Sequence, residues 1–428
     1  MDGFKARANG WLLVKVGGSP RERGYAYGYM LAREMLESVM RFRLYAEKVY
    51  GLGWPFFREA AEKLYAPKLP EELVEEMEGM VEGAGKRRVM LDFMDLVAFN
   101  GFFDTLSYHG WLKGKPKGVP KCSAMLAAGD ATKDGGIVLA HNTWFAYMLA
   151  PSCNLIVAVT PESGNSFVMQ SVPGFVMSGM DWYLNSAGLM VAETTIAGVK
   201  TFNPEGSPYF SRVRMAVQYS SGIEEFVDRM LKDNNGGYAN GWLIGDSKSG
   251  EIAYLELATY RHALTKTRSG WFFGSNIAFD EGVKEEVEFD FERPSPPTSR
   301  RERWLQLVRE HYGRLDLELA KRLIADHIDP YTGKRSYRGR TICGHLESDP
   351  EGWPEWEVGP YSPFGTFDAK VTDGELAKTM SFWAHWGRPC ERPFRASSYL
   401  SRHEEYSWQE AYLDDLIPFP WTRIDPMP

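Results

Sequence analysis

The chain has 428 residues, 44% of them hydrophobic, with four cysteines and a formal net charge of -8. That composition excludes a disordered, collagenous or coiled-coil chain, and the acidic balance without a Lys/Arg cluster argues against a nucleic-acid partner. Charges interrupt every apolar run well short of the ~20 residues that cross a bilayer, so no membrane span is expected.

The opening stretch MDGFKARANGWLLVKVGG has no apolar segment of the kind that directs secretion, and a cytoplasmic location is the expectation. Ser19 and Pro20 supply a cap and a first-turn proline for a helix carrying Tyr27, Met30, Leu31 and Met35 at helical spacing. Pro70 opens a second helix with the stripe Leu73, Met77, Met80 and Val81, and MLDFMDLVAFNGFFDTL reads as one buried helix.

The pattern changes after the Gly, Pro and Lys-rich stretch GWLKGKPKGVPK. Five strand candidates follow, CSAMLAAG, GIVLAHNTWF, CNLIVAVT, SFVMQSV and GLMVAETT, separated by turn residues. NGWLIGDSKSGEIAYLELATYRHALTK reads as a hairpin turned at Lys248, Ser249 and Gly250. Helical periodicity returns in YFSRVRMAVQYSSGIEEFVDRMLKD and SRRERWLQLVREHYGRLDLELAKRLIADHI, and blocks of helix and strand in this order suggest stacked layers. From about Gly344 the chain is rich in Pro, Trp and Gly, and surface coil with short strands is expected.

Cys122, Cys153, Cys343 and Cys390 lie far apart without a C-x-x-C pairing, and the eight histidines show no i, i+4 pair, so neither a metal nor another cofactor is expected. No G-x-S-x-G elbow or phosphate loop is present. Cys122 is set apart by its position, just after a proline-punctuated loop and just before a strand. A thiol there can attack the carbonyl of Lys121, giving a thioester that water opens, and Cys122 becomes a new N-terminus. The freed α-amine, with an ordinary pKa of roughly 7.7 to 8.0, can then accept the thiol proton as a base. The tetrahedral oxyanion formed by such a nucleophile needs fixed donors, and Thr195 and Asn276 both sit at the ends of predicted strands.

The segments SPRERGYAYG, KCSAM, AHNTWFAYM, SVPGFVMSGMDWYLNSAGLMVAETT, NGWLIGDSKSGEIAYLE, GSNIAFD and FGTFDAKVTD resemble the phospholipase B-like proteins. These belong to a wider group that includes penicillin acyltransferase of peptidase family C45, bile-salt hydrolases and penicillin V acylase. The resemblance implies an α+β fold, the four-layer αββα sandwich of N-terminal-nucleophile hydrolases. It also implies autoproteolysis that leaves residues 1–121 as a helical N-terminal fragment and 122–428 as the catalytic chain. It nominates Cys122 as nucleophile, Asn276 as an oxyanion-hole amide, and Thr195 where bile-salt hydrolases carry a second Asn. His141 falls where relatives have Arg or His, and Arg300 on an Arg that orders the charges beside the nucleophile. Trp144 stands where many relatives place an Asp that holds the nucleophile's amine, which leaves a backbone carbonyl, Asn142 or Thr143 as that amine's expected partner.

The implied activity is hydrolysis of an acyl amide or a lipid ester, with a small-molecule substrate whose acyl chain the abundant aromatics could line. Two alternatives stay open: an acyltransferase, if an amine competes with water for the acyl group, and a non-catalytic binding protein on the same fold. Oligomeric state is not read from the sequence.

Overall fold

In the computed structural model, which describes residues 3–115, 122–353 and 358–426, the chain opens with a hairpin of β1 (Gly3–Ala8) and β2 (Trp11–Gly18). Along β2 the fully buried positions alternate with half-buried ones, the pattern of a strand covered mainly on one face. The first 121 residues are therefore not a purely helical segment, because β2 pairs in parallel with β6 (Leu155–Pro161) inside the larger sheet.

Helix α1 (Pro20–Tyr50) starts where Ser19 and Pro20 predict, with the Glu22 carboxylate accepting from the Ser19 backbone N–H at 3.0 Å. After α2 (Trp54–Ala60), α3 (Glu71–Lys86) packs along α1. Four glycines permit this approach: a Cβ on Gly24 or Gly28 would come 2.0 Å from a carbonyl oxygen of α3, and one on Gly79 or Gly83 would crowd α1 equally. The expected buried helix divides at Gly101, where the Tyr65 ring leaves no room for a side chain, into α4 (Phe93–Asn100) and α5 (Phe102–Leu112).

Among the described residues the strands form two large sheets and a small ribbon. In the nine-stranded sheet, β1, β2 and β6 are followed in spatial order by β7 (Phe167–Ser171), β8 (Trp182–Asn185), β9 (Leu189–Thr195), β10 (Asn240–Asp246), β11 (Glu251–Leu257) and β12 (His262–Thr267). The six-stranded sheet runs from β13 (Gly270–Gly274) through β3 (Ser123–Gly129), β4 (Gly135–Asn142), β15 (Asp368–Asp373) and β16 (Phe382–Trp386) to β17 (Thr422–Ile424). The ribbon joins β5 (Trp144–Ala146) to β14 (Phe364–Thr366).

Strands β3, β4 and β13 of the smaller sheet lie against β9, β10 and β11 of the larger. On the outer face of the larger sheet pack α1, α6 (Tyr209–Tyr219) and α7 (Ile223–Leu231). The short α8 (Glu281–Lys284) lies beside β12, and α9 (Pro296–His311) and α10 (Leu317–Leu323) cover the smaller sheet. The result is the expected α+β fold in four layers. The C-terminal region forms the short strands expected of it but not at the surface, since β15 lies between β4 and β16 and is buried along most of its length.

No helix among the described residues is long and apolar enough to cross a membrane.

Candidate active site

The two sheets meet at one end of the sandwich, where β3 and β8 begin and β9 and β13 finish. Cys122 stands immediately before β3, Asp181 immediately before β8, Thr195 on the last position of β9, and Asn276 two residues past β13. Lys121, on the other side of the bond expected to break, lies outside the described residues.

Three of these residues have backbone conformations that side chains other than glycine seldom adopt: φ is 78° at Cys122, 66° at Asp181 and 66° at Asn276. Such conformations cluster where a protein must aim a functional group. At Asp181 the aim is set locally, because the Ser178 hydroxyl accepts from the backbone N–H groups of Met180 at 3.1 Å and Trp182 at 3.2 Å. The turn so fixed brings Asp181 Oδ2 to 3.5 Å from Cys122 Sγ.

Asp181 Oδ2 also accepts from the Tyr238 hydroxyl at 3.4 Å, and that hydroxyl accepts from Thr195 Oγ1 at 2.9 Å. Thr195 thus reaches the neighbourhood of Cys122 through its hydroxyl, while its carbonyl accepts from Asn276 Nδ2 at 2.9 Å. Asn276 Oδ1 accepts in turn from Arg300 Nη2 at 2.7 Å.

Arg300 is the hub of the arrangement. Its Nη1 donates to the Cys122 carbonyl at 2.6 Å and to Ser123 Oγ at 3.0 Å, its Nε donates to the Pro296 carbonyl at 3.0 Å, and the guanidinium lies 4.3 Å from the centroid of the Trp144 ring. Burial pushes its pKa down to about 9, which leaves it cationic at neutral pH. Trp144 supplies a stacking face, as its indole N–H is engaged with the Ile342 carbonyl at 3.1 Å.

Burial, then the Asp181 and Glu193 carboxylates, push the Cys122 thiol well above its ordinary pKa; Lys370 and the Trp144 backbone N–H oppose this more weakly. The thiol of the uncut chain is therefore protonated at neutral pH and needs a base. His141, buried on β4, is held neutral by burial and by the Lys370 ammonium. Lys370 is itself enclosed, donating to Thr143 Oγ1 at 2.8 Å, Gln170 Oε1 at 2.5 Å and Asp368 Oδ1 at 2.9 Å.

Cys122, His141 and Asp181 offer ligand atoms within 4.8 Å of one another and could in principle hold a cation. The buried charge of Lys370, close enough to act on both Cys122 and His141, disfavours a second cation there.

Of the residues singled out in the sequence, Cys122, Asn276, Thr195, Arg300 and Trp144 form one connected network, and His141 lies beside it. The side chains of Asn142 and Thr143, expected as partners of the amine, are engaged elsewhere. Asn142 Oδ1 accepts from the Ser123 backbone N–H at 3.0 Å and its amide donates to the Ile324 and Ile342 carbonyls, while Thr143 Oγ1 is engaged by Lys370. The carboxylate that does approach the Cys122 thiol is that of Asp181, 59 residues further along the chain. Tyr238 and Glu193 also escaped sequence reading, since nothing in their local pattern separates them from core residues.

The sequence model of the Phospholipase B family matches residues 69–255, a span that includes Cys122, Asp181 and Thr195 and ends before Asn276 and Arg300. Over that span the chain is similar to the phospholipase B-like proteins. An uncharacterized protein of Archaeoglobus fulgidus is 26% identical over 89% of this chain and 71% of its own length. Phospholipase-B 81 of Drysdalia coronoides is 25% identical over 66% of this chain and 54% of that protein, and Phospholipase B-like 1 of Homo sapiens is 24% identical over 61% and 51%. The chain thus spans about half the length of those named relatives. Among solved structures, a mutant conjugated bile acid hydrolase from Clostridium perfringens aligns at a TM-score of 0.33 and 12% identity, covering 61% of this chain and 88% of the other. At that score the alignment decides nothing about this chain.

Proposed function

We propose that this phospholipase B-like chain is a self-processing hydrolase of acyl amides or esters, with Cys122 as its nucleophile. The observation that carries the reading is the contact between Cys122 Sγ and Asp181 Oδ2 at 3.5 Å, inside a frame built by Arg300 and Asn276. The family match supports hydrolysis in general terms. The chemistry of the site suggests the finer steps.

In the first step Sγ attacks the Lys121 carbonyl carbon, the bond from that carbon to the Cys122 nitrogen breaks, and the thiol proton ends on the nitrogen. Water then hydrolyses the Lys121 thioester. In turnover the free amine of Cys122 takes the thiol proton as Sγ attacks the substrate's acyl carbon, and returns it to the departing alcohol or amine. Water opens the acyl thioester and releases the acid. On this reading Asp181 holds the ammonium form of the amine, and the Asn276 amide, which also donates to the Thr195 carbonyl, serves the oxyanion.

A cleft of about 360 Å³ beside the turn that carries Asn276 is lined by Tyr254, Trp271, Phe272, Phe273 and Phe279 together with Glu256, Thr265 and Asp280, and its aromatic wall would suit the apolar part of an acyl group. An amine entering in place of water would make the same site an acyltransferase. The reading as a non-catalytic binding protein rested on a missing carboxylate, and the Asp181 carboxylate beside Cys122 Sγ supports the enzyme reading over it.

Denaturing electrophoresis with N-terminal sequencing tests the reading. The expected result is two fragments, the larger beginning at Cys122, and a single uncut band for Cys122→Ala. Scission at this bond in Cys122→Ala, or full turnover by uncut protein, overturns it. Released fatty acid measured against released amine, on a panel of N-acyl amides and phospholipids, separates the substrate classes.

A further inference from the structure

Outside the candidate active site, four residues that the sequence scatters over more than sixty positions come together: His327, Cys343, His345 and Cys390 offer ligand atoms that all lie within 4.8 Å of one another. We propose that these four residues bind a zinc ion in a closed tetrahedral site that braces the wall behind Arg300.

The donor set is two thiols and two imidazoles, the composition of structural zinc sites. Its dimensions agree. With Zn–S near 2.3 Å and Zn–N near 2.0–2.1 Å, a tetrahedron places sulfur and nitrogen about 3.6 Å apart. His345 Nε2 is 3.6 Å from Cys343 Sγ and 3.4 Å from Cys390 Sγ. Cys343 and His345 are two residues apart at an extended stretch, the spacing that sends both side chains to one side.

The outer partners fix the tautomers that metal binding requires. His327 Nδ1 faces the Ser336 carbonyl at 3.0 Å, and His345 Nδ1 faces Glu347 Oε1 at 3.4 Å. With Nδ1–H directed outward in both rings, each Nε2 presents its lone pair. His327 Nε2 is buried and faces the Cys390 thiol within the cluster, the state of a ligand atom turned towards an ion. Glu347 is anchored in its turn by Arg388 at 2.6 Å and the Tyr147 hydroxyl at 2.9 Å.

The sequence argued against a metal because no two ligands show a zinc-helix or C-x-x-C spacing. The fold supplies the site from three separate segments, around positions 327, 343–345 and 390. Its place in the molecule gives it a role. Ile342, next to Cys343, accepts through its carbonyl from both Asn142 and Trp144. Gly344, between the two ligands, is pressed so closely by the Trp144 ring that a Cβ would come 1.9 Å from it. An ion held by the neighbours on both sides would therefore fix the ring on which Arg300 stacks. The site has four protein ligands and no place for substrate, so its function is structural.

The full chain, expressed with added zinc and purified without chelator, is assayed for metal by mass spectrometry and for coordination by zinc X-ray absorption. The expected result is about one zinc per chain in a two-sulfur, two-nitrogen shell, lost in Cys390→Ser and in Cys343→Ser but retained in Cys122→Ser. Three outcomes would overturn the proposal: wild-type protein that takes up no zinc on reconstitution, a Cys343–Cys390 disulfide found by peptide mapping without reductant, or zinc that survives both ligand variants and leaves with Cys122→Ser. The absorption spectrum of the wild type decides the ligand set even where a variant fails to fold. None of these readouts depends on scission or turnover.

Discussion

Arg300 Nη2 donates to Asn276 Oδ1 across 2.7 Å, and because a guanidinium can only donate, this contact decides which end of the Asn276 amide faces Thr195. The carbonyl of Thr195 can only accept, so the two neighbours impose the same orientation from opposite sides. On the proposed reading, a donor for the developing oxyanion is thereby held in place before substrate arrives. Lysine keeps the positive charge of Arg300 but cannot reach the Cys122 carbonyl, Ser123 and Asn276 together. In Arg300→Lys the turnover number should fall about 10²–10³-fold with little change in KM. Steady-state kinetics on protein with native circular dichroism checks this; a change confined to KM would count against a positioning role.

Asp181 makes a prediction with two parts that run in opposite directions. Its charge raises the thiol pKa of Cys122, so Asp181→Asn should make the sulfur easier to ionise. The same substitution removes the carboxylate placed to hold the new amine, and should lower turnover about 10²–10⁴-fold. The pH dependence of scission, followed by gel, should shift to lower pH in the variant while steady-state turnover collapses. An unchanged profile together with unchanged turnover would show Asp181 to be a packing residue.

What was legible in the sequence was local. The hairpin at Lys248–Gly250 and the strand after Cys122 carry their own turn residues and alternation, and both stand in the structure where the pattern puts them. Strand β15 was hidden by its charges. Asp368 and Lys370 sit two apart on one face and form an ion pair at 2.9 Å, so a segment that reads as solvated is buried. The hairpin β1–β2 was obscured similarly, by the Lys and Arg residues of an exposed edge. Cys122, Asn276 and Thr195 were visible because each ends or precedes a strand. Asp181 was not, because its partner lies on the other sheet and no periodicity spans the gap.

Glu76 on α3 lies between two guanidiniums, 2.7 Å from Arg23 of α1 and 2.9 Å from Arg214 of α6, all three buried. The arrangement locks three helices together; Arg214 pairs with Glu76, and Arg23 divides its donors between Glu76 and Glu72, the latter at 2.6 Å. Glu76→Gln keeps the shape and leaves two buried cations without their shared counter-charge. The expected loss is about 3–5 kcal/mol of unfolding free energy. Urea unfolding measures it, and a loss under about 1 kcal/mol would mean that water reaches the cluster.

Asp104 on α5 supplies the pH dependence. One of its oxygens accepts from the Asn235 amide at 2.6 Å and the Tyr209 backbone N–H at 2.8 Å, yet burial dominates and pushes its pKa up to about 6. An unfolded chain would titrate this carboxyl near 3.9. Between those values the folded state binds the extra proton, so stability from this group is fully present below about pH 4 and is lost as pH rises through 6. The loss is about 3 kcal/mol. Asn in its place carries no such proton. The difference in unfolding free energy between the wild type and Asp104→Asn should move by that amount in favour of the variant between pH 4 and pH 7. Urea unfolding at both ends of that window measures the difference directly, and a constant gap would mean that the carboxyl titrates normally despite its burial.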